Sequence, residues 1–148
     1  MEVIGIIEFE IDGKPVPAQR MTQRGKFVKK NAQRYMDYKS IVKWTARSYM
    51  ARNRLEPLQE QLRVSVDFYY QIPKSYTKKQ IKAITDSDGR LRPRSKGDID
   101  NLVKSITDGC NKICYGDDLQ ISEIQARKLY GEKDYVHLKI ESLEGESE

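Results

Sequence analysis

The sequence predicts an α+β single domain with a mixed four-stranded sheet, ordered β-α-β-(short α)-α-β-β. Three observations predict it. Two stretches carry apolar residues at helical spacing over three or more turns. Four others are β-branched or alternate apolar with polar residues. The chain has 148 residues, a size at which one hydrophobic core closes and two do not. The expected organisation is one domain over residues 1–140 followed by an acidic tail over 141–148.

Val3 to Ile11 is mostly β-branched, and its second half alternates apolar with acidic residues, as a half-buried strand does. Asp12-Gly13 is a turn signal, and Pro15-Val16-Pro17 forbids regular ladder pairing, so an extended loop follows. Gln19 to Lys30 reads as a basic loop that orders on binding a partner. Asn31 is the expected N-cap of a helix from Ala32 to about Asn53. Tyr35, Tyr38, Ile41, Val42, Thr45 and Tyr49 recur there at three- and four-residue steps, with Lys39, Lys43, Arg47 and Arg54 mostly off that stripe. Pro57 ends the segment.

Leu62 to Ile72 alternates as a strand, and Pro73 stops it. Ser75 or Thr77 caps a short helix, Lys78 to Ile84. Asp86 to Gly97 is a loop carrying Arg90, Arg92, Arg94 and Lys96. Asp98 opens the next helix, striped by Ile99, Leu102, Val103, Ile106, Cys110 and Ile113. Ile121 to Tyr130 and Tyr135 to Leu143 read as two strands joined by a hairpin-length link, Gly131 to Asp134.

Composition excludes several classes. No apolar run approaches the ~20 residues of a membrane span, and Met1-Glu2-Val3 lacks a signal-peptide layout. Two cysteines cannot build a disulfide framework, and a single histidine, His137, rules out a His-rich metal centre. Cys110 and Cys114 read as free thiols of a reducing compartment, so a cytoplasmic protein is expected. Lys plus Arg total 27 against 22 Asp plus Glu, a net charge of +5. Four of the acids lie in Glu141–Glu148, so the body holds 27 bases against 18 acids, or +9. From Lys14 to Arg54 there are twelve bases and one acid, Asp37. Such a field attracts polyanions, nucleic acid foremost.

Against this basic background two acidic motifs stand out. Asp98 and Asp100 open a helix, and Asp117-Asp118 occupies a turn before a strand. Capping and the helix dipole explain the first motif, with Asp100 paired to Lys104 one turn on. Turn chemistry explains the second. The same residues also supply what Mg²⁺ takes: a few carboxylates completed by waters and a phosphate oxygen. One or two such ions would polarise a phosphoryl group, activate water and stabilise a leaving oxygen. Lys104 would neutralise charge developing there.

Asp98-x-Asp100-Asn101-Leu-x-Lys104, then Asp108, then Tyr115-Gly-Asp117-Asp118-x-x-Ile121 and Lys128, resembles the RusA family of Holliday junction resolvases. The likeness covers Lys96 to Lys128 and extends weakly to Pro15-x-Pro17-x-x-Arg20. Two separated acidic motifs and a lysine agree in order and spacing, which makes the joint pattern specific. Gly97 stands where the family usually has Pro, a change expected to loosen the approach to Asp98. Met21 stands where a second Pro is often found.

The resemblance implies a RusA-like nuclease domain over 1–140, bacterial or phage-encoded, that resolves four-way (Holliday) DNA junctions by Mg²⁺-dependent phosphodiester hydrolysis. Mn²⁺ is an acceptable substitute. It implies Asp98, Asp100 and Asp118 as metal ligands and Lys104 as the catalytic partner of the scissile phosphate. Asp117, Asn101 and Asp108 are further ligands or supports. Expected DNA contacts are Arg20, Arg24, Lys26, Lys29, Lys30, Arg90, Arg92, Arg94 and Lys96. It also implies a homodimer, which suits a two-fold-symmetric junction needing two matched nicks. Tyr35, Tyr38 and Ile41, or the stripe from Ile99, are the candidate dimer surface. The alternatives are a non-catalytic protein that binds branched or single-stranded DNA, and a Mg²⁺-dependent flap or duplex nuclease.

Overall fold

A computed structural model describes residues 3–19, 29–94 and 96–143. It contains strand β1 (Val3–Asp12), helix α1 (Lys29–Arg52), strand β2 (Gln61–Gln71), helix α2 (Lys78–Asp86), helix α3 (Ile99–Cys110), strand β3 (Ile121–Gly131) and strand β4 (Tyr135–Leu143). The predicted α+β class and element order hold. The sheet runs β1-β4-β2-β3. β4 is antiparallel to both β1 and β2, while β2 and β3 are parallel.

That order corrects the expected hairpin. β3 and β4 are consecutive but not paired, because β2 lies between them. The link wraps the end of β2, where the Gln71 amide donates to Asp134 Oδ1 at 2.7 Å and the Ile72 amide to Gly131 O at 3.2 Å. β2 takes the middle because every second residue, Leu62 through Tyr70, is at most 1% exposed. An edge position would leave part of that row in water.

α1 and α3 lie together on the face formed by that row, Val136, Leu138 and Ile140 of β4, and Ile7 and Ile11 of β1. Burial of each such aliphatic side chain contributes roughly 1.5–3 kcal/mol. α1 starts at Lys29, so Asn31 lies inside the helix rather than capping it. Its buried face is Tyr35, Tyr38, Val42, Ala46 and Met50, whereas Ile41 and Trp44 are exposed. Tyr35 and Tyr38 therefore belong to this chain's own interior and are not available as dimer surface. On α3, Leu102, Ser105, Ile106, Gly109 and Cys110 face inward. A Cβ on Gly109 would stand 2.5 Å from Val42 Cγ1, so a bare backbone sets the approach of α3 to α1. Thr77 caps α2 in a reciprocal box with Gln80.

Cys110 and Cys114 are free and buried, and the hydrogen bond Cys110 shares with Cys114, and then burial, push its thiol well up. His137 Nε2 sits 2.8 Å from Glu8 Oε2 on the opposite sheet face. β4 runs through Glu141, Ser142 and Leu143, all buried, so the sheet includes the first residues of the acidic segment. Among the described residues, no helix is long and apolar enough to cross a membrane.

Candidate active site

The loop Lys96-Gly97 delivers the chain to α3. Gly97 has φ +100°, and a Cβ there would lie 3.1 Å from Pro17 Cγ. Glycine is needed for both reasons. A proline, fixed near φ −65°, could not adopt this conformation. The substitution thus does not loosen the approach to Asp98, as expected from sequence. It permits the Pro15–Ala18 loop to dock against α3, where the Ala18 amide donates to Asn101 O at 2.9 Å. The Tyr70 hydroxyl donates to Lys96 O at 3.3 Å, and Lys128 Nζ donates to Gly97 O at 3.0 Å. The approach is held from three sides.

Asp98 occupies the N-cap position of α3 but makes no side-chain capping bond. Asp100 lies in the first turn and is exposed. Among the described residues neither carboxylate has an ion-pair partner, and Lys104 pairs with Asp108 rather than with Asp100. Capping therefore does not use these two acids. Both line an open groove of about 680 Å³ rimmed by Arg92, Arg94 and Lys128. Two carboxylates without ion-pair partners among the described residues, lining one groove with three cations, can take a cation and a phosphate together.

A second group forms further along α3. Lys104 Nζ is 3.2 Å from Asp108 Oδ2, and the Tyr35 hydroxyl of α1 donates to that oxygen at 3.2 Å. Asp118 belongs to this neighbourhood. Burial pushes its carboxyl above the ordinary value, the Tyr115 hydroxyl pulls it down, Asp108 and Asp117 push it up, and Lys104 pulls it down. Tyr115 is itself fixed by donating to Thr107 O at 2.6 Å. Asp117 and Asp118 thus divide the work. Asp117 accepts from the Leu119 amide at 2.9 Å, donates from its own amide to Gln120 Oε1 at 2.8 Å, and lies 3.8 Å from Lys112 Nζ. It is engaged in the turn, whereas Asp118 feels the charges of Asp108 and Lys104.

The predicted metal ligands are therefore distributed, Asp98 and Asp100 in the groove and Asp118 with the Lys104–Asp108 pair. Among the described residues no three carboxylate, imidazole or thiol side chains are grouped closely enough to hold an ion on their own. The groove nevertheless fits Mg²⁺, which is commonly bound by one or two carboxylates with substrate phosphates and waters completing the shell. The donor set is hard oxygen with no thiol or imidazole lining the groove, which does not suit zinc.

Of the expected DNA contacts, Arg92 and Arg94 line the groove. Arg90 and Arg92 also brace their own loop, donating through Nε to Ser87 O at 2.8 Å and Gly89 O at 2.9 Å. Lys30 is exposed on the first turn of α1. Arg20, Arg24 and Lys26 lie outside the described residues, as does the Lys29 side chain. Asn101 meets the site through its backbone carbonyl, which accepts from the Ala18 amide. Sequence reasoning missed Tyr35 as the partner of Asp108, because it read as part of an apolar helix stripe, and gave Tyr115 no role beyond its place in the second acidic motif. It also left Lys14 and Arg34 unassigned, although both belong to the basic run.

The family described as Endodeoxyribonuclease RusA matches residues 12–141. Two relatives are similar across nearly the whole chain. Uncharacterized protein YqaN of Bacillus subtilis (strain 168) is 28% identical over 141 residues, 93% of this chain and 96% of that protein. Crossover junction endodeoxyribonuclease rusA of Lactococcus phage r1t is 28% identical over 137 residues, 90% of this chain and 94% of that protein.

Proposed function

The chain belongs to the RusA endodeoxyribonuclease family, and we propose that it resolves four-way DNA junctions as a homodimer, by paired symmetric nicks that require Mg²⁺. The observation that carries this reading is the pair Asp98 and Asp100, without capping bonds or ion pairs among the described residues, in a groove also lined by Arg92, Arg94 and Lys128. The similarity to a phage protein named as a crossover junction endodeoxyribonuclease supports the substrate.

Asp98 and Asp100 would hold the ion with water and phosphate oxygens completing its shell, and Asp118 would become a third ligand only if DNA or metal binding draws it to the groove. When bound, Mg²⁺ supplies Lewis-acid stabilisation of charge on the scissile phosphate and a water of lowered pKa. Arg92, Arg94 and Lys128 attract and orient the backbone on the rim. Lys104, tethered one turn beyond Asp100, can swing to the leaving oxygen as negative charge develops there. Two copies related by a dyad match the symmetry of a junction and deliver two nicks in one encounter. Ile41 and Trp44, exposed on α1, offer apolar surface for that contact.

The test sets the protein against a labelled four-way junction, a flap and a linear duplex, each with Mg²⁺ or EDTA. Cutting confined to the junction and abolished by EDTA is expected. Asp100→Asn should lose more than about 100-fold in rate, the loss that even an outer-shell partner of a metal can cause, yet bind the junction as tightly or more tightly. Tight binding with no cutting in any divalent metal would leave a DNA-binding protein instead. Equal cutting of all three substrates would leave a nuclease without junction selectivity.

A further inference from the structure

Beside the acidic groove lies a second concavity of about 330 Å³, sharing Gly97 with it. Its walls come from the Lys14–Pro17 segment, Gln19, the start of α1 and the Lys96-Gly97 loop. Three cations from three segments line it: Lys14, Arg34 and Lys96. No carboxylate lines it. Among the described residues none of the three has an acid within 4.0 Å, whereas Arg63, Lys82, Lys104, Lys112, Arg127 and Lys133 all do. The cations stand on fixed backbone. The Pro15–Ala18 loop is bonded to α3 through Ala18 and Asn101, and Lys96 is bonded through its carbonyl to Tyr70. Like charges gathered without counter-ions repel one another, and a bound anion relieves that repulsion.

We propose that Lys14, Arg34 and Lys96 form a subsite for a DNA backbone phosphate flanking the phosphate cut in the acidic groove. The proposal rests on the nuclease reading above and adds positions to it. A strand crossing Gly97 would meet the cationic pocket on one side and Asp98 and Asp100 on the other. The pocket then sets which phosphate reaches the carboxylates. Asn31 and Gln19, in the same lining, can donate hydrogen bonds to phosphate oxygens.

The test measures junction affinity by fluorescence anisotropy across a salt series, in Ca²⁺ so that cutting does not interfere. It compares wild type, the double variant Lys14→Gln/Arg34→Gln, the conservative double variant Lys14→Arg/Arg34→Lys, and Lys82→Gln as a remote control for lost charge. The Gln variant should bind at least about tenfold more weakly, with a plot of log affinity against log salt shallower by about 1, as loss of one phosphate contact predicts. The conservative variant should restore both, and Lys82→Gln should change neither. Unchanged affinity and slope in the Gln variant, with wild type binding normally, would overturn the subsite alone. No binding of the junction by wild type would overturn the nuclease reading itself. Titration with inorganic phosphate separates the two sources of the anion. A phosphate-dependent rise in Tm that the Gln variant loses, with junction affinity unchanged, would make this a free-phosphate site and overturn the strand contact.

Discussion

The Tyr35 hydroxyl donates to Asp108 Oδ2 at 3.2 Å across the seam between α1 and α3. Lys104 Nζ lies 3.2 Å from the same oxygen. Asp108 is thus held by the core on one side while it holds the proposed catalytic lysine on the other. Burial first, and then Asp108, raise the Tyr35 hydroxyl from 10.0 to about 12. Tyr35→Phe should cost about 1 kcal/mol by urea denaturation near neutral pH. A raised folded-state pKa gives stability that is present below the unfolded value and lost as pH rises through the folded one. The gap between wild type and Tyr35→Phe should therefore close between about pH 10 and 12. A gap constant across that range would contradict the assignment.

Lys104→Met should lower the cleavage rate at saturating junction while leaving DNA affinity within a few fold, because the side chain is tethered away from the rim until charge develops. Asp108→Asn should give a smaller loss, through a less ordered lysine. A Lys104→Met enzyme that cuts at the wild-type rate would remove this lysine from the chemistry.

Much of this arrangement was legible in the sequence. The period of two in Leu62–Ile72 and the helical stripe of α3 identified their elements, since both faces of each are chemically distinct. The strand order was not legible. A four-residue link fits a hairpin as well as a passage around the end of a neighbouring strand, and only the competition for the middle of the sheet, won by β2, decides between them. The acidic residues were legible as a set, but their division was not. Whether Asp98 caps a helix or Asp117 closes a turn depends on side-chain torsions that spacing does not encode. Gly97 was legible only as a departure, because its positive φ and its contact with Pro17 arise from a docked loop eighty residues away.

Asp118 is pushed toward its neutral form first by burial, with Asp108 and Asp117 adding to it against Tyr115 and Lys104. A carboxyl with a raised folded-state pKa destabilises the folded chain when ionised and ceases to do so as pH falls through that pKa. In divalent-free buffer Asp118→Asn should therefore have a Tm at pH 7 equal to or above wild type, with the difference shrinking toward pH 4, while its cleavage in Mg²⁺ is lost. A lower Tm in the variant at pH 7 would show that the charged form is favoured in the fold.

Gly97→Pro should destabilise the chain by roughly 1–3 kcal/mol and reduce cleavage, because φ +100° is closed to proline. Thermal melts and junction assays on that variant give the answer. Wild-type behaviour in both would mean that the loop has a second, equally good path to α3.

The contact between Gly109 and Val42 leaves no room for a methyl group. Gly109→Ala should cost about 1–3 kcal/mol through overpacking, partly recovered when combined with Val42→Ala. Denaturation of the two single variants and the double variant would show this as non-additivity. Strict additivity would mean that the helices do not meet at these residues.

The most direct test of paired nicking uses a supercoiled plasmid carrying an extruded cruciform, incubated with the protein and Mg²⁺. Two nicks made in one complex convert the plasmid straight to linear molecules, with breaks symmetric about the junction and none in EDTA. That is the predicted result. Nicked circles that accumulate without linear product, or equal cutting of a plasmid that lacks the cruciform, would contradict it.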